Sequence, residues 1–253
     1  MHTQVSIGLI GTTDASIVAA LAPRIERLGF HALWLNDVPG GDSLAGLRVA
    51  AAATERLGLA TGVIPLDRRP VDTLDLAGLP EARTNVGIGS GRVAHPLALV
   101  EQGVARLRER SDVEIVVGAL GPRMRRLAAE RADGVLLNWL TPQAAAATTA
   151  ELREAAGERR VRSVLYARTV VDDDARAELE AEAERYEHVA AYAANFARLG
   201  IRAIDATIDG ARSVAAYEST VDEIVLRAIT PTGSLVELER FVETTAAWVE
   251  HGA

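Results

Sequence analysis

The sequence predicts a (β/α)8 barrel, the TIM-barrel class, as a single domain over residues 1–253. Three observations carry that expectation. Short apolar runs of strand type recur eight times, helical patterns separate most of them, and no linker-like change of composition divides the chain. Most of the runs are continuous rather than alternating, as strands of a parallel sheet read when both faces are covered. A doubly wound open sheet competes, but it rarely carries so many strands at such even spacing.

The first strand is VSIGLIG (5–11). A helix over 14–28 follows, opening at the N-cap Asp14 and placing Ile17, Leu21, Ile25 and Leu28 on one face. The second strand, ALWLND (32–37), precedes a helix over 44–57 in which Leu44, Leu47, Ala51, Thr54 and Leu57 repeat. The third, LGLATGVIPL (57–66), leads into a poor crossover over 67–84, which Pro70 and Pro80 interrupt and which has room for a short helix only. The fourth, NVGIGSG (85–91), leaves 92–113 for one helix.

The fifth strand, EIVVGAL (114–120), is followed by a helix over 122–131, and the sixth, GVLLNWL (134–140), by one over 142–156. The seventh, VRSVLYARTVV (161–171), feeds a helix over 174–198. Residues 199–220 read as two short helices, although IRAIDATID could pass as a ninth strand. The eighth strand is VDEIVLRAI (221–229). A last helix over 234–250 sets Leu235, Leu238, Phe241, Val242, Thr245 and Val249 at helical spacing.

Composition removes several function classes. A net charge of −8 argues against a nucleic-acid footprint, which needs clustered cations. Without cysteine there are no disulfides and no thiolate-ligated metals, and without lysine there is no Schiff-base chemistry. The five histidines show no metal-ligand spacing. The opening MHTQVSIGLIGTTDAS lacks a signal-peptide pattern and no apolar run reaches bilayer length, so a soluble cytoplasmic protein without a membrane partner is expected.

In this architecture chemistry sits at the C-terminal ends of the strands. Those ends carry Gly11-Thr12-Thr13, Asn36-Asp37, Gly62-Val63, Gly89-Ser90-Gly91, Gly118-Ala119-Leu120-Gly121, Asn138-Trp139, Arg168 and Arg227. The set is rich in glycine and poor in acids, bases and nucleophiles, which suits a bulky cofactor that brings its own reactivity. Pro122 fits the first turn of the fifth crossover helix, whose free N–H groups, with Arg123 beside them, would make an anion site. Gly-Pro turns also open helices that bind nothing.

The segments LGFHALWLND (28–37), LGLATGVIPL (57–66), NVGIGSG (85–91) and GALGPRMRRLAAERADGVLLNWLTP (118–142) resemble the bacterial luciferase-like superfamily of flavin- and deazaflavin-dependent oxidoreductases. The last is similar to the actinobacterial branch that uses coenzyme F-420, and an arginine-only cationic composition fits a high-GC genome. The resemblance covers nearly the whole chain. It implies a homodimer with the cofactor's tricyclic ring in the barrel mouth and its phosphate at the helix after the fifth strand. Gly118, Ala119, Leu120, Gly121 and Arg123 then serve the phosphate side, and Gly62-Val63 falls on a non-prolyl cis peptide against the ring. Gly89, Ser90 and Gly91 border the ring or its ribityl chain. Asn36, Arg227 and two candidate catalytic groups, Asp37 and Asn138, point to the same mouth. The insertion that covers the substrate in such proteins, between the fourth and fifth strands, is reduced or absent here.

Other signals have plainer readings. His95 reads as a loop histidine, GIGSG (87–91) is neither a nucleophile elbow nor a dinucleotide fingerprint, and Asp172 to Asp174 read as a helix start rather than a metal site. Glu178, Glu180, Glu182 and Glu184 read as a solvated helix face. Arg168 could pair with a barrel acid or meet a ligand, Trp34 suits core packing, and Trp139 is a candidate to flank the ring. The alanines at 50–53 offer a small-residue face for a dimer contact or simply a helix-favouring exposed one. The expected function is hydride transfer between coenzyme F-420 and a small organic substrate. An FMN-dependent monooxygenase and a non-catalytic flavin or deazaflavin carrier are the alternatives.

Overall fold

The computed structural model describes residues 2–251. Its strands are β1 (Gln4–Ile10), β2 (Ala32–Asn36), β3 (Gly58–Thr61), β4 (Ile64–Pro65), β5 (Thr84–Gly89), β6 (Glu114–Gly118), β7 (Gly134–Asn138), β8 (Arg162–Thr169) and β9 (Glu223–Ala228). All pair in parallel in the order β3-β2-β1-β9-β8-β7-β6-β5-β4, and a β3–β5 pairing closes the ring. β3 and β4 are two pieces of one stave, so the closed barrel has the eight staves the sequence predicts.

The helices are α1 (Ala15–Arg27), α2 (Ser43–Ala53), α3 (Pro96–Arg108), α4 (Pro122–Arg131), α5 (Pro142–Ala156), α6 (Arg176–Glu187), α7 (Ala190–Leu199), α8 (Ala211–Ala215) and α9 (Leu235–His251). Asp14 caps α1 by accepting from the Ser16 N–H. The buried face of α1 is Val18, Leu21, Ala22 and Ile25, with Leu28 exposed, so the predicted stripe is rotated by about one residue. α2 ends at Ala53, where the Arg83 guanidinium caps the end of the helix by donating to the carbonyls of Ala51, Thr54 and Leu57. Between β4 and β5 only two 3-10 turns form, as the prolines require. Residues 199–220 hold a 3-10 turn (Ala203–Ala206) and α8, and Ile208 makes only an isolated bridge to Thr169.

The predicted helix over 174–198 is instead α6 and α7, separated at His188 and Val189. The cause lies in what they pack on. The Trp139 ring meets Tyr186 at 5.2 Å and Phe196 at 6.2 Å between centroids. Ten residues of straight helix would hold those two side chains about 15 Å apart. The chain must therefore fold back.

Side chains alternate across each strand. Ile7, Leu9, Leu33, Leu35, Val86, Ile88, Val117 and Val135 face outward under the helices. Ala32, Trp34, Ala60, Val116, Leu136, Val164, Tyr166 and Val225 fill the interior. At the N-terminal end, buried Glu223 accepts from Ser6 Oγ at 2.6 Å and Trp34 Nε1 at 2.7 Å and lies 3.4 Å from Arg162. That polar plug closes the bottom and assigns Trp34 to the core. No helix among the described residues is long and apolar enough to cross a membrane.

Candidate functional site at the barrel mouth

Two positions beyond the interior cluster, the same parity brings Asn36, Gly62, Gly118, Asn138, Arg168 and Arg227 to one row at the barrel mouth. On β1 and β5 the equivalent positions are Ile10 and Gly89. Seven residues singled out from the sequence, Gly89 among them, thus share a layer. The Asn36 Oδ1 is buried there without a hydrogen-bond partner.

The peptide bond between Gly62 and Val63 is cis, as the resemblance implied. The half-buried Val63 side chain fills a hollow left by the glycines of the neighbouring staves. A Cβ on Gly89 would stand 2.8 Å from Val63 Cγ2, and one on Gly118 would stand 3.2 Å from both Val63 methyls. These glycines therefore make room first for a protein side chain, and Val63 presents the remaining face of the wall. Gly91 has φ +67°, and Asp67 accepts from the Arg92 N–H at 2.9 Å beside it, so the turn after β5 needs glycine. The half-buried Ser90 donates to the Gly91 carbonyl at 3.2 Å.

Two predicted residues have the opposite parity. Ala119 is packed in the outer layer, and only its backbone, donating to the Leu136 carbonyl at 3.0 Å, belongs to the strand end. The Asp37 side chain turns away from the barrel axis. It accepts from Ser43 Oγ at 2.9 Å and pairs with Arg69 and, at 3.5 Å, with Arg68. With its side chain 1% exposed, Asp37 braces the β2 and β4 loops. The side chain thus does not face the mouth, where the catalytic candidate Asp37 was expected to point.

Beside β6, Gly121 is the N-cap of α4 and Pro122 its first residue. No side chain caps this end, and a Cβ on Gly121 would meet nothing within 4 Å. The N–H groups of Arg123 and Met124 have no acceptor among the described residues, and the exposed Arg123 has no ion-pair partner there. Leu120 and Gly121 are half-buried at the same corner. Arg125, one turn on, is buried against Thr148 and Glu151, and burial lowers its pKa. A groove of about 400 Å³ starts at Pro122 but runs down the outer wall past Arg125, Glu151 and Ala155, away from the strand ends.

The mouth is not left uncovered. The α6–α7 pair, inserted between β8 and β9, contacts the strand-end row. Arg168 donates to Glu182 of α6 at 2.8 Å and to Asn138 Oδ1, and its guanidinium lies 4.1 Å from the Trp139 ring centroid and 4.8 Å from that of Tyr186. Asn138 Nδ2 donates to the Tyr192 hydroxyl at 3.4 Å. Trp139, φ +54°, packs under this pair with Phe196 and Ala203 rather than flanking an open mouth. Below the row, burial pushes the Tyr166 phenol up to about 12, partly offset by Arg227 and Arg168, and its hydroxyl is buried without a partner.

The sequence missed Glu182 as a site residue. Glu178, Glu180 and Glu184 are exposed as expected, but Glu182 is 13% exposed. Burial opposes its charge, yet Arg168 and then Arg227 hold its carboxyl below the usual range. The signal was present: Glu182 stands three residues after Leu179 and four before Tyr186, on the packed stripe of α6.

The sequence profile of the luciferase-like monooxygenases matches residues 2–113 and 97–253. A 5,10-methylenetetrahydromethanopterin reductase of Methanolobus tindarius is 28% identical over 166 residues, covering 50% of this chain and 51% of the relative. The match thus spans about half that relative's length. The coenzyme F-420-dependent tetrahydromethanopterin reductase of Methanopyrus kandleri superposes with a TM-score of 0.70 at 17% identity, covering 100% of both chains. The monooxygenase RslO1 of Streptomyces bottropensis gives 0.75 at 19% identity, covering 99% of this chain and 100% of the other. At such identities these structures speak for the fold alone.

Proposed function

The chain belongs to the luciferase-like monooxygenase family, and from that premise we propose an oxidoreductase that passes a hydride between coenzyme F-420 and a small organic substrate. The observation that carries the reading is the uncapped start of α4, with the free N–H groups of Arg123 and Met124 and the unpaired Arg123 cation, set beside a glycine-lined strand-end row. The sequence relation to a 5,10-methylenetetrahydromethanopterin reductase supports a reductase over a monooxygenase.

The residues present fit such a group. The first turn of α4, with Leu120, Gly121 and Arg123, would hold a phosphate, and the backbone of Gly118 and Ala119 would lie alongside. The orphaned Asn36 Oδ1 wants a hydrogen-bond donor, which the N–H edge of a flavin-type tricycle provides. Gly62, Val63 and Gly89 would bear on a ring face, and Ser90 and Gly91 would border the chain joining ring to phosphate. When bound, the deazaflavin supplies a carbon that gives or takes two electrons as hydride. The protein positions the reactants and excludes water. Asn138, fixed by Arg168 and Tyr192, orients a substrate group. Asp37 keeps the loops after β2 and β4 in place.

Fluorescence titration with F-420 and FMN side by side tests the reading. F-420 is expected to bind at least about tenfold more tightly; FMN binding with oxygen consumption would favour the monooxygenase reading. Neither binding at millimolar concentration would remove both. Reduced F-420 that binds yet is reoxidised by no acceptor in a broad panel would favour a carrier. A cytoplasmic homodimer is part of the same proposal, with the α2 alanine face as the contact.

A further inference from the structure

Arg168 and Arg227 are register partners on β8 and β9. Both point into the mouth row, with side chains 4% and 9% exposed. Two buried guanidiniums side by side need anionic oxygen, because an uncompensated interior charge is costly. Among the described residues one carboxylate meets both, and it comes from outside the barrel: Glu182 of α6, 2.8 Å from Arg168 and 3.9 Å from Arg227. Arg185, exposed, adds a third cation at 3.8 Å from the same carboxylate.

The two arginines are not equally satisfied. Arg168 is bound to Glu182 and Asn138 and stacked on Trp139 and Tyr186. Arg227 has the long contact to Glu182 and a bond to the Ala228 carbonyl. Close to it, the Tyr166 hydroxyl stands 2.9 Å from where a Cβ on Gly8 would be, and Gly8 is the register partner of Arg227 on the other side. That hydroxyl has no hydrogen-bond partner. A guanidinium edge and a phenol O–H are both donors. The phenol lacks an acceptor and Arg227 reaches its carboxylate only at 3.9 Å, and the acceptor that fits a guanidinium best is a close carboxylate, which takes two parallel N–H bonds.

We infer that Arg227 with Arg168 forms a carboxylate-binding subsite at the barrel mouth, that the substrate carries a carboxylate, and that Glu182 occupies the subsite as an internal stand-in until the substrate arrives. α6 belongs to the inserted pair and not to the barrel wall, so Glu182 can withdraw without disturbing a stave. Substrate carboxylate and Glu182 then compete for the same cations, and the affinity for the former is reduced by the strength of the latter. The inference names the substrate class of the oxidoreductase proposed above and rests on that reading, but its test needs no cofactor.

The test is calorimetric titration with butanoate and with butanamide, its neutral isostere, on the wild type, Glu182→Gln, Glu182→Asp and Arg227→Gln. Butanoate is expected to bind at least about tenfold more tightly than butanamide, and Arg227→Gln to erase the difference. Glu182→Gln should raise butanoate affinity about tenfold and leave butanamide unchanged. Glu182→Asp, which keeps the charge on a shorter arm, should raise it by a smaller factor and serves if the glutamine variant does not fold. Equal binding of acid and amide overturns the inference, as does the absence of a gain in whichever Glu182 variant is folded. Glu182 would then be a strut that fastens α6. Repeating the titrations with F-420 separates the two readings. Carboxylate selectivity without F-420 binding leaves the subsite and removes the deazaflavin, and the reverse removes the subsite alone.

Discussion

Val63 occupies space that Gly89 and Gly118 leave open, and the contact is tight enough to make a prediction. Gly89→Ala places a methyl 2.8 Å from Val63 Cγ2, so one of the two must shift. Overpacking of this kind costs about 1–3 kcal/mol, read as a lower urea midpoint, and the double variant with Val63→Ala should recover most of it. A loss that the second substitution does not recover would show that Gly89 is needed for another reason. Arg123 is the opposite case, exposed and unpaired among the described residues. Arg123→Glu should leave the melting temperature the same or slightly raised while weakening F-420 binding by about tenfold or more, because it sets a like charge beside the phosphate site. Unchanged affinity would move the phosphate away from α4.

The α6–α7 pair takes the place of the cover that the short 92–113 segment cannot provide. It is held on the mouth by Trp139, Phe196 and Tyr186 and by the Glu182 contact to Arg168. Because Arg168 and Arg227 keep the Glu182 carboxyl below its ordinary value of 4.5 in the folded protein, against the opposing effect of burial, the contact stabilises fully above about pH 4.5. It fades as the pH falls through the lowered value. Amide exchange within α6 should therefore accelerate, relative to the barrel strands, as the pH is lowered from 5 toward 3, once the intrinsic pH dependence of exchange is removed. In Glu182→Gln that extra acceleration should vanish. A uniform response across strands and α6 would argue that the carboxylate does not fasten the element.

At the scale of the molecule, the bottom plug and the mouth divide the work. Glu223, 1% exposed, ties Ser6 of β1, Trp34 of β2 and Arg162 of β8 across the barrel. Glu223→Ala strands those partners inside and should cost about 3–5 kcal/mol in chemical denaturation, far from any ligand. A cost under 1 kcal/mol would mean that water replaces the carboxylate. The homodimer proposal is checked by gel filtration at micromolar concentration, where Ala52→Arg on the exposed face of α2 should yield monomer; a wild-type monomer ends it. Strand–helix alternation and the strand ends were legible along the chain, because apolar runs and their boundaries are local features. From them came the eight staves, the glycine-lined row from Asn36 to Arg227, and the uncapped helix start at Pro122. Parity applied to Asp37 would also have turned it outward, a step that strand-end position alone does not include. The break between α6 and α7, the burial of Trp139 beneath them, and the choice of Glu182 among four glutamates as the partner of two arginines were decided by tertiary structure. Local periodicity says which face a residue is on, whereas the partner of a buried charge depends on where distant segments fold back, and nothing in a short window encodes that.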